Sequence, residues 1–149
     1  MKKLNRNLAQ PRHLALLRRS HVRAGFTLVE IMIVVAIIAL LAAIAVPNFL
    51  RARKRSQATR ILEDLRVIDG AIDQYAIETN KAGGASVSWS DIQSYIKRGS
   101  KLYNSTGKDL FNNSFANGSF KVDTIPVVAT GTYNELSDVA PAEFWSPFK

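Results

Sequence analysis

Hydrophobic residues crowd into one run near the start of the chain and then thin into a periodic stripe. From Phe26 to Val46, only Thr27 and Glu30 are polar among 21 residues. As a helix rising about 1.5 Å per residue, the run extends about 31 Å, which matches the hydrocarbon core of a bilayer. Beyond Pro47 the pattern changes: Ala58, Ile61, Leu65, Ile68, Ile72, Tyr75 and Thr79 recur at steps of three and four, with Arg66, Asp69, Asp73 and Glu78 on the other side. That spacing predicts one buried face of an amphipathic helix. Pro47 removes a helical hydrogen bond and marks the boundary between the two patterns. Gly70 is a weak point, and Asn80-Lys81-Ala82-Gly83-Gly84 supplies a stop with a glycine able to take the left-handed cap conformation. The prediction is a single helix from about Phe26 to about Asn80, roughly 80 Å long, with a transmembrane half over 26–46 and an amphipathic half over 47–80.

Residues 81–149 predict a small head on which the amphipathic stripe packs. Ser90 is the expected N-cap of a short helix that shows Ile92 and Ile96 on one side and ends at Gly99. A polar, asparagine-rich loop follows from Ser100 to Asn117, and Asn117-Gly118 is the strongest hairpin signal in the chain. Ser119 to Thr130 alternates Phe120, Val122 and Thr124 against Lys121 and Asp123, which predicts a strand, and Pro126 places it at an edge or a bend. Phe144-Trp145-Ser146-Pro147-Phe148 holds three aromatics in five residues. They are expected to close the core over the sheet or against Tyr75, the alternative being an exposed contact patch at the tip. The fold class is α+β: a long N-terminal helix packed on a small C-terminal head with a short helix and a small antiparallel sheet.

Charge sharpens this division. The formal net charge is +8, but residues 1–25 hold Lys2, Lys3, Arg6, Arg12, Arg18, Arg19 and Arg23 with no acid. The remaining 124 residues balance 13 Lys and Arg against 12 Asp and Glu, so the basic character belongs to a leader and implies no nucleic-acid partner. Arg51 to Arg66 contains six basic residues without interleaved aromatics, which fits a solvated or headgroup-facing helix better than a base-stacking surface. Seven leader cations against Arg51, Arg53, Lys54 and Arg55 beyond the span place the N-terminus in the cytoplasm and the head outside it. His13 and His21 both lie in the leader and the chain has no cysteine. Beyond residue 25 the chain thus lacks the usual general base, thiol nucleophile and commonest zinc ligands. No P-loop, G-x-S-x-G or dinucleotide-type glycine pattern is present.

Glu30 is the residue this picture does not absorb. A carboxylate in hydrocarbon costs a few kcal/mol or more and normally has a cationic partner or a function. The nearest cation at that depth is an α-amino group at Phe26, created by cleavage after Gly25, on this chain or a neighbour; snorkelling at the border of a plain anchor is the bland alternative. Gly25-Phe26-Thr27-Leu28-Val29-Glu30, the apolar run and Pro47 together resemble the N-terminal signature of type IV pilins and of the pseudopilins of type II secretion. The resemblance is strong from Gly25 to about Leu50 and weaker beyond. It implies cleavage after Gly25 by a prepilin peptidase, N-methylation of Phe26, pairing of Glu30 with a neighbour's N-terminus and a matching role for Pro47 in assembly.

It also implies a single-pass bacterial inner-membrane protein with a periplasmic head, assembling with copies of itself or other pilins, and reaching the cell surface if the filament is a pilus. The absence of cysteine departs from pilins that close a C-terminal loop by a disulfide. Asp109-Leu110-Phe111-Asn112-Asn113-Ser114-Phe115 is similar, more loosely, to the Asp-Pro-Trp-Gly-Asn-Pro-Tyr segment of major pseudopilins. Their later calcium loop has only Asp138 as a counterpart after Asp123, so no metal or other cofactor is expected. The Asp and Asn residues from Asp109 to Asp123 are better explained by turn formation. The expected function is structural and non-enzymatic. Two rivals remain at this stage: a monomeric membrane-anchored binding module, and a secreted enzyme cut after Ala43-Ile44-Ala45.

Overall fold

A computed structural model describes residues 25–149, so the basic leader lies outside the described residues apart from Gly25. The chain divides into two units, Met1–Ile38 and Ala39–Lys149. The first helix, α1 (Leu28–Thr79), contributes to both and contains Pro47. It is the one helix among the described residues that is long and apolar enough to cross a membrane.

In the first unit every described residue is exposed, including Phe26, Ile31, Val34 and Ile38. An apolar surface with no protein against it needs lipid or another chain to cover it. In the second unit α1 stays exposed through Arg53 and then turns one stripe inward: Ala58, Ile61, Leu62, Leu65, Ile68, Ala71 and Ile72 are buried. The predicted stripe is present from Ala58 to Ile72, Tyr75 is half-buried, and Thr79 is exposed. Asn80, with φ 50, ends the helix in the left-handed conformation, and the Lys81 amide donates to Ala76 O at 3.0 Å. This is a Schellman-type closure that uses the asparagine rather than a glycine.

The head is α+β, but its elements differ from the predicted ones. β1 (Ser86–Val87) pairs antiparallel with β2 (Phe120–Lys121), Val87 facing Phe120. The long strand from Ser119 to Thr130 is not formed. Lys121 bridges back to Thr124 around Asp123, whose φ is 56, and the buried Pro126 has no N–H to offer a ladder. Nor does Asn117-Gly118 make a hairpin. Ala116, Asn117 and Gly118 all have positive φ, and Asn117 Oδ1 accepts from the Thr130 amide at 3.2 Å, at the start of a helix.

α2 (Trp89–Ile92) is capped by Ser88, two residues before the expected Ser90, because Asp91 reaches back to Ser88 in a capping box. A 3₁₀ turn, Gln93–Tyr95, continues it. Within the predicted loop lies α3 (Lys101–Asn104), with Ser100 Oγ accepting from the Tyr103 amide at 3.0 Å. The last α-helix, α4 (Thr130–Leu136), occupies sequence that the alternating pattern did not predict as helical, and a 3₁₀ turn, Ala142–Trp145, follows it. Ile92 and Ile96 are buried as expected.

The tail closes the core instead of forming a tip. Trp145 is fully buried with its indole N–H donating to Ala140 O at 3.1 Å, Phe148 is buried, and the Val128 amide donates to Phe148 O at 2.7 Å. Gly107 (φ +81) lies against the Trp89 ring, where a Cβ would approach to 3.1 Å, so both its backbone conformation and its contact require glycine.

Candidate functional site

The residues singled out at the N-terminus lie at the opening of α1. Thr27 precedes the first helical residue, and its hydroxyl accepts from the Glu30 amide at 3.2 Å. In return the Glu30 carboxylate accepts from the Thr27 amide at 2.7 Å and from the Thr27 hydroxyl at 2.8 Å. This is a reciprocal capping box: it satisfies two amides that the first turn would otherwise leave orphaned, and it puts negative charge at the positive end of the helix dipole. Thr27 was not among the expected site residues, although Thr-x-x-Glu ahead of an apolar run is the pattern that signals it.

Phe26, at 82% exposure, and Gly25 lie just before the cap. A Cβ built on Gly25 meets nothing within 4 Å, so the described fold has no need of glycine there. Pro47 lies in the second unit, within α1 and exposed.

In the head, the Asp109 segment forms a closed network. Asp109 Oδ1 accepts from the amides of Phe111 at 2.8 Å and Asn113 at 3.0 Å, while Oδ2 accepts from the hydroxyl of the fully buried Thr132 on α4. Asn113 Nδ2 also donates to Thr132 Oγ1, at 3.0 Å, and Asn112 adopts φ 66 at the position matching glycine in the pseudopilin segment. Both carboxylate oxygens of Asp109 are engaged in holding a turn to a helix. Among the described residues no group of three or more His, Cys, Asp or Glu is placed to hold a metal ion.

The flanks of α1 carry charge of both signs. Burial raises the Asp64 carboxyl above its ordinary range; Arg60, 4.0 Å away, opposes the shift and Glu63 adds to it. Burial raises Asp69 too, and neighbouring Asp73 raises it further. Near the helix end, the Tyr95 hydroxyl donates to Glu78 at 2.6 Å and is held up mainly by that bond. Lys54 Nζ meets Asp138 at 3.1 Å and Glu135 O at 3.3 Å, joining α1 to the end of α4.

Comparison with known proteins finds similarity over less than half of the chain. The family described as the prokaryotic N-terminal methylation motif matches residues 20–46. The chain is 42% identical over 65 residues to a type IV major fimbrial protein FimA of Dichelobacter nodosus, covering 44% of this chain and 42% of that protein. It is 35% identical over 57 residues to the type II secretion system core protein G of Klebsiella pneumoniae, covering 38% and 41% respectively. Against the type IV wide pilus major component PilA4 of Thermus thermophilus it is 46% identical over 56 residues, covering 38% and 43%. The chain thus spans about two fifths of the length of these curated relatives. No solved structure matches it.

Proposed function

We propose that this chain, which matches the prokaryotic N-terminal methylation motif over residues 20–46, is a structural subunit of a type IV pilus or of a pseudopilus-like filament of type II secretion. In this reading a prepilin peptidase cleaves after Gly25 and the new N-terminus at Phe26 is methylated. The first half of α1 holds the subunit in the inner membrane, N-terminus cytoplasmic and head periplasmic, until it is extracted into a filament with other copies or other pilins. The protein performs no catalysis of its own.

The observation that carries this reading is the motif at the start of an exposed apolar helix. Gly25 is a glycine the fold does not require, which is what a residue selected by an outside enzyme would look like. Glu30 is the one ionisable residue of the run. Its present partner is Thr27, through bonds that a protonated amine from a neighbouring subunit can replace at closer charge complementarity. In hydrocarbon a counter-ion matters more than in water, because a buried carboxylate that keeps its charge without a cationic partner is the costliest arrangement.

The test is N-terminal peptide mass spectrometry on membrane and sheared extracellular fractions, with Glu30→Ala alongside. Methylated chains starting at Phe26, present in sheared material and lost from it in Glu30→Ala while the membrane pool persists, are expected. Chains starting at Val46 would make the run a secretion signal and overturn the reading. Unchanged behaviour of Glu30→Ala would leave a monomeric anchored module in its place.

A further inference from the structure

Two clefts open on opposite flanks of α1 in the head, and they are complementary in charge. One, of about 290 Å³, is lined by Arg60, Lys97 and Lys101 with Asp64 and Val67 between them. It runs on into a smaller hollow that adds Lys108, Asp109 and Leu110, where the Asp109 carboxylate is already engaged by Thr132 and the amides of Phe111 and Asn113. The other, of about 330 Å³, is lined by Asp69, Asp73 and Asp123 with Ile125, and no basic side chain lines it.

At 3.6 residues per turn, Arg60, Asp64 and Val67 fall within an arc of about 60°, while Asp69 and Asp73 lie about 180–220° from Arg60. The buried stripe through Ile61, Leu65 and Ile72 runs between the two flanks. Each cleft also keeps one large apolar side chain half in solvent: Val67 is 48% exposed and Ile125 46%.

We propose that the basic cleft is a docking surface for the acidic flank of a second copy of this chain. Arg60, Lys97 and Lys101 receive Asp69, Asp73 and Asp123 of the neighbour, and Val67 packs on its Ile125. Two different patches on opposite flanks make the contact heterologous, so each head engages one neighbour on either side and the series does not close. Opposite charges around a small apolar centre fix the register and reject the like-flank alternatives, which would oppose three carboxylates to three carboxylates. The inference rests on the filament reading and specifies how heads meet within it.

The test exploits the absence of native cysteine. Val67→Cys and Ile125→Cys are made singly and together in the full-length chain, and sheared filaments are treated with a short bismaleimide. A ladder of dimers and higher multimers is expected from the double variant, with monomer from each single variant. In parallel, Lys101→Glu and Asp73→Lys should each reduce sheared filament several-fold, and the two together should restore most of it. Filaments that give no ladder and no charge-swap rescue would overturn this interface while leaving the filament reading intact. Dimers from a single cysteine would show like flanks meeting and overturn it too. If the unmodified chain forms no sheared filament, the filament reading falls and takes the interface with it.

Discussion

Asp109 and Asp91 show how single carboxylates are used in this head. Removing Asp109 leaves the Thr132 hydroxyl and the amides of Phe111 and Asn113 without their acceptor in a partly or fully buried setting. Asp109→Ala is expected to cost about 1–3 kcal/mol, measured by urea denaturation of the detergent-solubilised chain with the combined fluorescence of Trp89 and Trp145 as the signal. A change within error would mean that the turn and α4 hold together without it. The sequence pointed to Asp109 through its resemblance to a pseudopilin segment. Its partner Thr132 lies 23 residues further on, and no local pattern joins the two.

Asp91 gives a pH signature. The Ser88 hydroxyl, at 2.6 Å, and the Ser88 amide, at 2.8 Å, donate to its carboxylate and hold its pKa below the ordinary value. A depressed folded value means that the carboxylate contributes stability above the unfolded pKa of about 3.9, and that the contribution is lost as pH falls through the folded value. Asp91→Asn should therefore lower Tm at pH 7, and the gap to the unmodified chain should close as the pH is taken below about 3.9. A gap that stays constant with pH would assign the effect to packing.

The stripe of α1 was the most legible element, because its 3.6-residue period is set by local geometry and repeats for four turns. The head's short elements were the least. The alternation from Phe120 to Thr124 resembles a strand, yet Asp123 turns the chain after two paired residues and Pro126 cannot donate. The sequence between Thr130 and Leu136 forms a helix because Asn117 and the core residues Thr132 and Leu136 hold it there. Such tertiary support leaves no periodic trace. The Ser88-x-x-Asp91 box and the Thr27-x-x-Glu30 box were both visible as four-residue patterns. Ser90 is the serine nearer to the Ile92 and Ile96 pair, but only Ser88 has an acidic residue three positions on to complete the box.

Energetically the stripe outweighs the head's two-residue strands. Leu65 is fully buried at its centre, and Leu65→Ala should cost about 2–5 kcal/mol. The expected readout is a large fall in the urea midpoint with the membrane-associated fraction unchanged, since the exposed apolar residues of the first unit are untouched. A small loss would mean that the surrounding side chains collapse into the space.

At the scale of the whole molecule, much of the chain's chemistry is turned outward. The exposed apolar start of α1 needs lipid or other subunits around it, and the acidic flank pays for its availability in stability. Asp69 illustrates the conflict. Burial and the adjacent Asp73 both raise its pKa, so the folded state binds its proton more tightly than the unfolded chain does. Stability then falls as pH rises from the unfolded value of about 3.9 through the raised folded value, and the ionised carboxylate is a net cost at neutral pH. Asp69→Asn removes that cost, so at pH 7 the isolated, solubilised subunit should have a higher Tm than the unmodified chain, with the difference vanishing in acid. In the proposed interface the same carboxylate meets Arg60, Lys97 and Lys101 of a neighbour, so the same substitution should reduce the amount of sheared filament. A subunit made more stable and less able to assemble is the combination expected of a charge kept for a partner. A higher Tm with filament yield unchanged would remove Asp69 from the contact, and an unchanged Tm would show that solvent already relieves the carboxylate in the free head.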